Sequence, residues 1–297
     1  MPVSRYDAID ALRGTAIVWM TVYHFCFDLN HFGWIKQDFY RDPVWTWQRT
    51  AIVSLFLFCA GLGQAVAVAQ GQGWRRFWRR WAQVAGCALL VTVGSYFMYP
   101  KSFIYFGVLH GIAVMLVIAR LTAGWGAWLW LLGALAMGAP LVASQAHAAG
   151  LLPDMLNTPA LNWLGLVGRK PITEDYVPLL PWLGVMLWGV ALGQWLLERH
   201  RGWLAGTVPA LARPLATLGR WSLSFYMLHQ PAMAVFLNRF LGNSIMGGSL
   251  WFDFTFKLIL VLLVVLIIST IFFVLIERPC MKKDWYKRFL HKLNPHK

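Results

Sequence analysis

Arg13, His24, Asp28 and His31 are ionisable residues within or beside the first apolar run of the chain. Ionisable side chains inside a bilayer are expensive, so they mark functional sites by default. At ~100° per helical residue, the eleven steps from Arg13 to His24 return to nearly the same face, ~16 Å further along. Asp28 follows His24 at i+4 and His31 follows Asp28 at i+3, which places all four on one stripe. Asp10 sits one turn before Arg13 and could orient it. Histidine can take and return a proton near neutral pH. A carboxylate within reach fixes its tautomer and stabilises the imidazolium. That pairing suits deprotonation of an amine or hydroxyl attacking an activated acyl group, and equally a covalent acyl-imidazole route. An arginine at the other end suits a phosphate-bearing donor. Each group also has a plainer role. Arg13 could snorkel to the interface, His24 and Asp28 could join helices, and His31 could be an exposed loop histidine.

A second set of residues could meet a substrate. His110 lies in the run Phe106-Gly107-Val108-Leu109-His110-Gly111. Ser222, Tyr226 and His229 share a face by i+4 and i+3 spacing, and Pro231 would kink the helix beside His229. Arg75, Arg76 and Arg220 join Arg13 as candidates to hold an anionic donor. The alternatives are a packing histidine, a packing kink and ordinary positive-inside arginines. Gly61, Gly63 and Gly189-x-x-x-Gly193 read as helix-packing positions. Cys26, Cys59, Cys87 and Cys280 form no C-x-x-C and no metal-ligand spacing, so they read as buried thiols and no metal site is expected. No P-loop, G-x-S-x-G, H-E-x-x-H or dinucleotide fingerprint is present.

The elements that must carry these groups follow from composition. Of 297 residues, 59% are hydrophobic and only 13% charged, against ~25% charged in ordinary soluble domains. This excludes disorder, collagen and a disulfide-stapled module, and it argues against a soluble enzyme. The expected fold is an all-α polytopic transmembrane helical bundle. Windows of ~20 apolar residues give eight spans, near 9–29, 50–70, 82–99, 103–120, 124–143, 179–198, 218–240 and 254–276. Asp7, Asp10, His24 and Asp28 do not fit a cleavable signal. The connection around Tyr99-Pro100-Lys101 implies a tight antiparallel hairpin, and the two long connections are 30–49 and 144–178.

The net charge of +14 reads as the basic excess of cytoplasmic loops, and nucleic acid is not an expected partner. Arg75, Arg76, Arg79 and Arg80, then Arg199, Arg201, Arg213 and Arg220, and then a basic tail all fall on the N-terminal side. Both termini are therefore expected in the cytoplasm. Residues 1–280 read as one integral-membrane domain and 281–297 as a basic tail, solvated or lying on the membrane through Trp285, Tyr286 and Phe289. Membrane lipids are expected partners, and the glycine spacing permits a homodimer without requiring one.

The segment Arg5-x-x-x-x-Asp10-Ala11-Leu12-Arg13-Gly14-Thr15-Ala16-Ile17 resembles the start of the heparan-α-glucosaminide N-acetyltransferase-like membrane family. Phe56–Gly63, Phe106–Ala113, Tyr176–Gly184 and Gly219–Pro231 extend the resemblance in order along the chain. Arg13-x10-His24, Ser222…His229-x-Pro231 and Glu277-Arg278-Pro279 also resemble the acyltransferase-3 type of membrane O-acyltransferase. The resemblance implies acetyl-CoA as donor, entering from the cytoplasm, and a sugar amine or hydroxyl as acceptor on the far side. It leaves two candidates for the catalytic histidine. His24 matches the acyltransferase-3 pattern, and His31 is the nearest counterpart of the active histidine in the lysosomal enzyme. A large luminal domain is missing, so an envelope glycan or glycolipid at a bacterial inner membrane is a better expectation than heparan. Two other classes fit the stripe: a proton-coupled transporter or flippase, and a non-catalytic scaffold subunit. The lack of an internal repeat counts against the transporter.

Overall fold

The computed structural model describes residues 6–241, with side chains through residue 233. Helix α1, Asp7–His31, is unbroken over 25 residues, with Asp7 and Asp10 in its first turn and His31 in its last. The two carboxylates complement the positive end of the helix dipole. Helix α2, Pro43–Ala69, starts seven residues before the apolar window. The reason is local. The Asp42 carboxylate accepts from the Val44 N–H at 2.8 Å, and Pro43 sets the first helical turn. Gly71, at φ 65°, ends α2 while the Gln72 N–H donates to the Ala67 carbonyl at 2.9 Å, the reversal typical of a left-handed cap.

Helix α3 is Trp74–Met98 and α4 is Val108–Thr122. Helix α3 starts before the hydropathy window because its first two turns are arginine- and tryptophan-rich yet still helical. Helix α4 starts later than 103 because the preceding segment is extended. There the Val177 N–H donates to the Phe106 carbonyl at 3.3 Å in a short parallel bridge. The α3–α4 connection is thus longer than a tight hairpin turn. Helix α5 is Trp128–Ala148 and α6 is Leu179–Arg199. The short helices α7, Arg201–Ala205, and α8, Arg213–Arg220, lead into α9, Ser222–Leu241. The single span expected near 218–240 is therefore divided at Trp221. Helix α8 packs on the first turns of α1. The expected span 254–276 and the basic tail lie outside the described residues.

Five of the described helices are long and apolar enough to cross a bilayer: α2, α3, α4 with its continuation to Trp125, α5 and α6. Helix α1 is equally long, but Asp7, Asp10, Arg13 and Asp28 interrupt its apolar run. The centre of the bundle is α2 against α6. A Cβ on Gly61 would lie 2.2 Å from the Met186 carbonyl oxygen, and one on Gly189 would lie 2.4 Å from that of Phe58. The missing side chains let the two backbones touch. Leu57, Met186 and Val190 are fully buried around this contact. Tyr6 and Ile9 pack with Leu62, Val66 and Leu204, which brings the start of α1, the end of α2 and the region after α6 to one pole. Arg120, at the end of α4, lies 5.3 Å from the Trp74 ring and joins that pole. The loops 32–42, 99–107 and 149–178 lie at the opposite pole.

Candidate active site

At the first pole the two glycines flanking the arginines bring α1 and α8 into backbone contact. A Cβ on Gly14 would lie 2.0 Å from the Leu215 carbonyl oxygen, and one on Gly219 would lie 1.8 Å from that of Asp10. This contact sets Arg220 over the start of α1. Its Nη2 donates to Asp7 Oδ1 at 2.6 Å, and its Nε lies 3.7 Å from Asp10 Oδ2. Arg13 Nη1 donates to the other oxygen, Asp10 Oδ1, at 3.1 Å. Buried Asp10 thus holds two guanidinium groups from different helices. Arg75 and Arg76 are exposed on the first turn of α3, at the same pole.

Three helical turns beyond Arg13, the sequence-derived partner of His24 is replaced by another residue. Gln230 of α9 donates from Nε2 to His24 Nδ1 at 2.9 Å. An amide nitrogen has no acceptor capacity, so Nδ1 carries the lone pair and Nε2 the proton. The His229 ring centroid lies 5.2 Å from that of His24. His229 is 2% exposed, and its Nδ1 faces the Tyr226 carbonyl at 2.7 Å. A carbonyl can only accept, so His229 has its proton on Nδ1 and a lone pair on Nε2. That Nε2 is buried and has no hydrogen-bond partner. Asp28 makes no hydrogen bond with His24. Its Oδ2 is buried without a partner one turn further along α1. Tyr226 packs 5.8 Å from the His229 ring and sits where three apolar clusters meet. Ser222 opens α9, two turns before His229.

His31 and His110 stand apart from this pair. His31 is exposed at the end of α1, with its ring edge against Phe32 at 5.5 Å. His110 has both ring nitrogens engaged. Its Nδ1 accepts from the Gly107 N–H at 3.3 Å, and its Nε2 donates to Thr92 Oγ1 at 2.9 Å. Thr92 in turn donates to the Ile104 carbonyl at 2.8 Å. His110 therefore closes the α3–α4 corner.

At the second pole Asp175 reaches across 67 residues to accept from the Val108 N–H at 2.7 Å, capping α4. Burial pushes its carboxyl up to about 6, against the opposing pull of that N–H and of the Arg49 and Lys170 charges. Burial, and then the charge of Arg49, lowers the ammonium of Lys170. Phe39 stacks on Trp45 at 4.1 Å, and both pack on Tyr23, one residue before His24.

A model of the catalytic region of heparan-α-glucosaminide N-acetyltransferase matches residues 5–231. The chain belongs to this family. The match runs from the first turn of α1 through His229, Gln230 and Pro231, so it includes every candidate site residue described above. No curated protein and no solved structure shows significant similarity to the chain. Family membership and the five apolar helices together define an integral membrane protein of an acetyltransferase family. Among the described residues no group of three His, Cys, Asp or Glu could hold a metal ion.

Gln230 is the site residue that sequence reasoning passed over. Its signal was a polar side chain inside an apolar run, next to His229. Its partner could not be read because His24 lies 206 residues away.

Proposed function

We propose that this protein transfers the acetyl group of acetyl-CoA to an amine or hydroxyl of a sugar or glycolipid, through the His24–His229 pair. The observation that carries the reading is the complementary pair of tautomers. His229 offers a buried, unpartnered Nε2 lone pair, and His24, 5.2 Å away by ring centroids, carries its proton on Nε2. One nitrogen is ready to accept a proton and the other to donate a hydrogen bond.

His229 Nε2 takes the proton of the neutral acceptor amine or hydroxyl as that atom attacks the thioester carbon. The new C–N or C–O bond forms, and negative charge gathers on the thioester oxygen. The N–H of His24 donates to that oxygen, where a fixed donor in a dry site is worth most. The C–S bond then breaks, and the leaving CoA thiolate takes up the proton held by His229. The buried Oδ2 of Asp28, one turn beyond His24, accepts a hydrogen bond from the acceptor and orients it. Tyr226 and Ser222 share α9 with His229, one and two turns before it.

The anionic nucleotide of the donor is held at the arginine pole. Arg13 and Arg220 share Asp10 there, and the exposed Arg75 and Arg76 add charge. The ~16 Å from Arg13 to His24 is left for the thioester arm. This pole faces the cytoplasm, since the basic loops gather there. The acceptor then arrives from the opposite pole.

Transfer from labelled acetyl-CoA, by purified protein in lipid nanodiscs against a panel of amino sugars and glycolipids, tests this. Removing a general base or acid costs ~10²–10⁴-fold. His229→Ala and His24→Ala are expected to lose turnover in that range, and His31→Ala to keep it. Full turnover by both of the first two variants would refute the assignment.

A further inference from the structure

Gln230 is neither charged nor nucleophilic, yet among the described residues it hydrogen-bonds the His24 ring from another helix. Its Nε2 lies 2.9 Å from His24 Nδ1. The residue that the sequence offers for this role is Asp28, at i+4 on α1, and it makes no such bond. The difference matters chemically. A carboxylate at Nδ1 would accept a hydrogen bond, draw the ring proton to Nδ1 and leave Nε2 bare. An amide presenting its NH2 does the opposite and keeps the proton on Nε2.

We infer that Gln230 is a positioning residue that locks His24 in the Nε2–H tautomer, so that this histidine serves as a hydrogen-bond donor beside His229. Three placements support this. Gln230 directly follows His229 on α9, so one helical turn sets both the partner ring of His24 and the group that orients it. The His229 Nδ1 is already committed to the Tyr226 carbonyl at 2.7 Å, so His229 supplies an acceptor and His24 must supply the donor. An amide also keeps its donor character at every pH at which the protein folds, so the arrangement holds in acid and in base. The two histidines are thereby kept in opposite tautomers by Gln230 and the Tyr226 carbonyl, one turn apart on α9. The inference rests on the proposed role of His24 as donor to the thioester oxygen, and the test separates the two claims.

The test uses full-length protein labelled with 15N-histidine in nanodiscs. The His24 resonances are assigned by their loss in His24→Asn. The ring nitrogen shifts report the tautomer without reference to activity. The wild type is expected to show protonated Nε2 and bare Nδ1. Gln230→Glu has nearly the same shape, and it is expected to move the proton to Nδ1. Its kcat is expected to fall ~10²-fold, the scale of one lost oxyanion donor, with the KM for acetyl-CoA within about twofold. Gln230→Leu is expected to show a mixture of tautomers and an intermediate kcat. A structural role alone would make Gln230→Glu the milder variant and leave the tautomer unchanged, which would overturn the inference. A bare Nε2 in the wild type would overturn it as well. A tautomer that switches as expected while kcat stays at the wild-type value would uphold the tautomer lock and refute the catalytic role of His24.

Discussion

Adding one methyl group at Gly219 tests how α8 is held on α1. A Cβ at Gly219 would sit 1.8 Å from the Asp10 carbonyl oxygen and 2.9 Å from the Gly14 nitrogen. Ordinary van der Waals contact begins near 3.4 Å, so α8 must retreat by roughly 1.5 Å, because a backbone carbonyl in a helix cannot rotate aside. The Arg220 Nε to Asp10 Oδ2 distance, already 3.7 Å, would then exceed ion-pair range. Overpacking of this kind costs about 1–3 kcal/mol, and the better helix propensity of alanine offsets up to ~1 kcal/mol of it. The 1.8 Å approach to a backbone atom puts this change at the upper end of that range, so the expected net loss of about 2 kcal/mol corresponds to a melting-temperature drop of about 4–8 °C, measured by thermal unfolding in one fixed detergent. Affinity for acetyl-CoA, measured by calorimetry, is expected to weaken in the same variant as Arg220 leaves its place. Gly86→Ala is the control, since no atom lies within 4 Å of its added Cβ. Its melting temperature is expected to hold or rise slightly. Gly14→Ala combined with Gly219→Ala is expected to cost less than the two single changes together, because one retreat relieves both clashes. A Gly219→Ala protein that melts with the wild type, beside a well-behaved Gly86→Ala, would show that the α1–α8 contact does not position Arg220.

Two further outcomes follow from the packing and the charges. Asp175 titrates near 6 in the fold and near ~3.9 in an unfolded chain. Between those values the folded state holds more proton, so stability is expected to fall as pH rises from about 4 to about 6 and to stay lower above that. Asp175→Asn keeps an acceptor for the Val108 N–H and is expected to flatten this slope in melting curves; an unchanged slope would remove Asp175 as its source. At the α2–α6 contact, Gly193→Ala would meet the Ala65 Cβ at 2.6 Å, whereas Gly189→Ala would meet the Phe58 backbone oxygen at 2.4 Å. Ala65→Gly is therefore expected to rescue Gly193→Ala in thermal unfolding. No single side-chain change is expected to rescue Gly189→Ala.

The long apolar runs made an all-helical membrane fold readable, because a 20-residue helix without charges has few alternatives in oil. Six of the expected spans overlap helices α1 through α6, of which α2 to α6 are long and apolar enough to cross a bilayer, with differences at their ends. Those differences have local causes that hydropathy ignores: the Asp42 cap, the arginine-rich start of α3 and the extended stretch before α4. The break at Trp221 was not readable, since the last residues of α8, from Leu218 on, and α9 together look like one apolar segment. It follows from the fit of Gly219 against Asp10, two residues far apart in the chain.

The same division runs through the candidate site. Residue type and helical spacing were enough to single out Arg13, His24, Asp28 and His229, because polar groups in an apolar run stand out wherever they occur. Spacing along one helix could also rank neighbours at i+4, and it ranked Asp28 as the partner of His24. The fold assigned that place to Gln230, because α9 lies against α1 and brings an amide closer to the imidazole than the carboxylate on its own helix. It left His31 at an exposed helix end and turned both nitrogens of His110 to closing a corner. Periodicity describes one helix at a time. Which nitrogen of a histidine holds its proton depends on what a second helix presents to it, and that depends on packing.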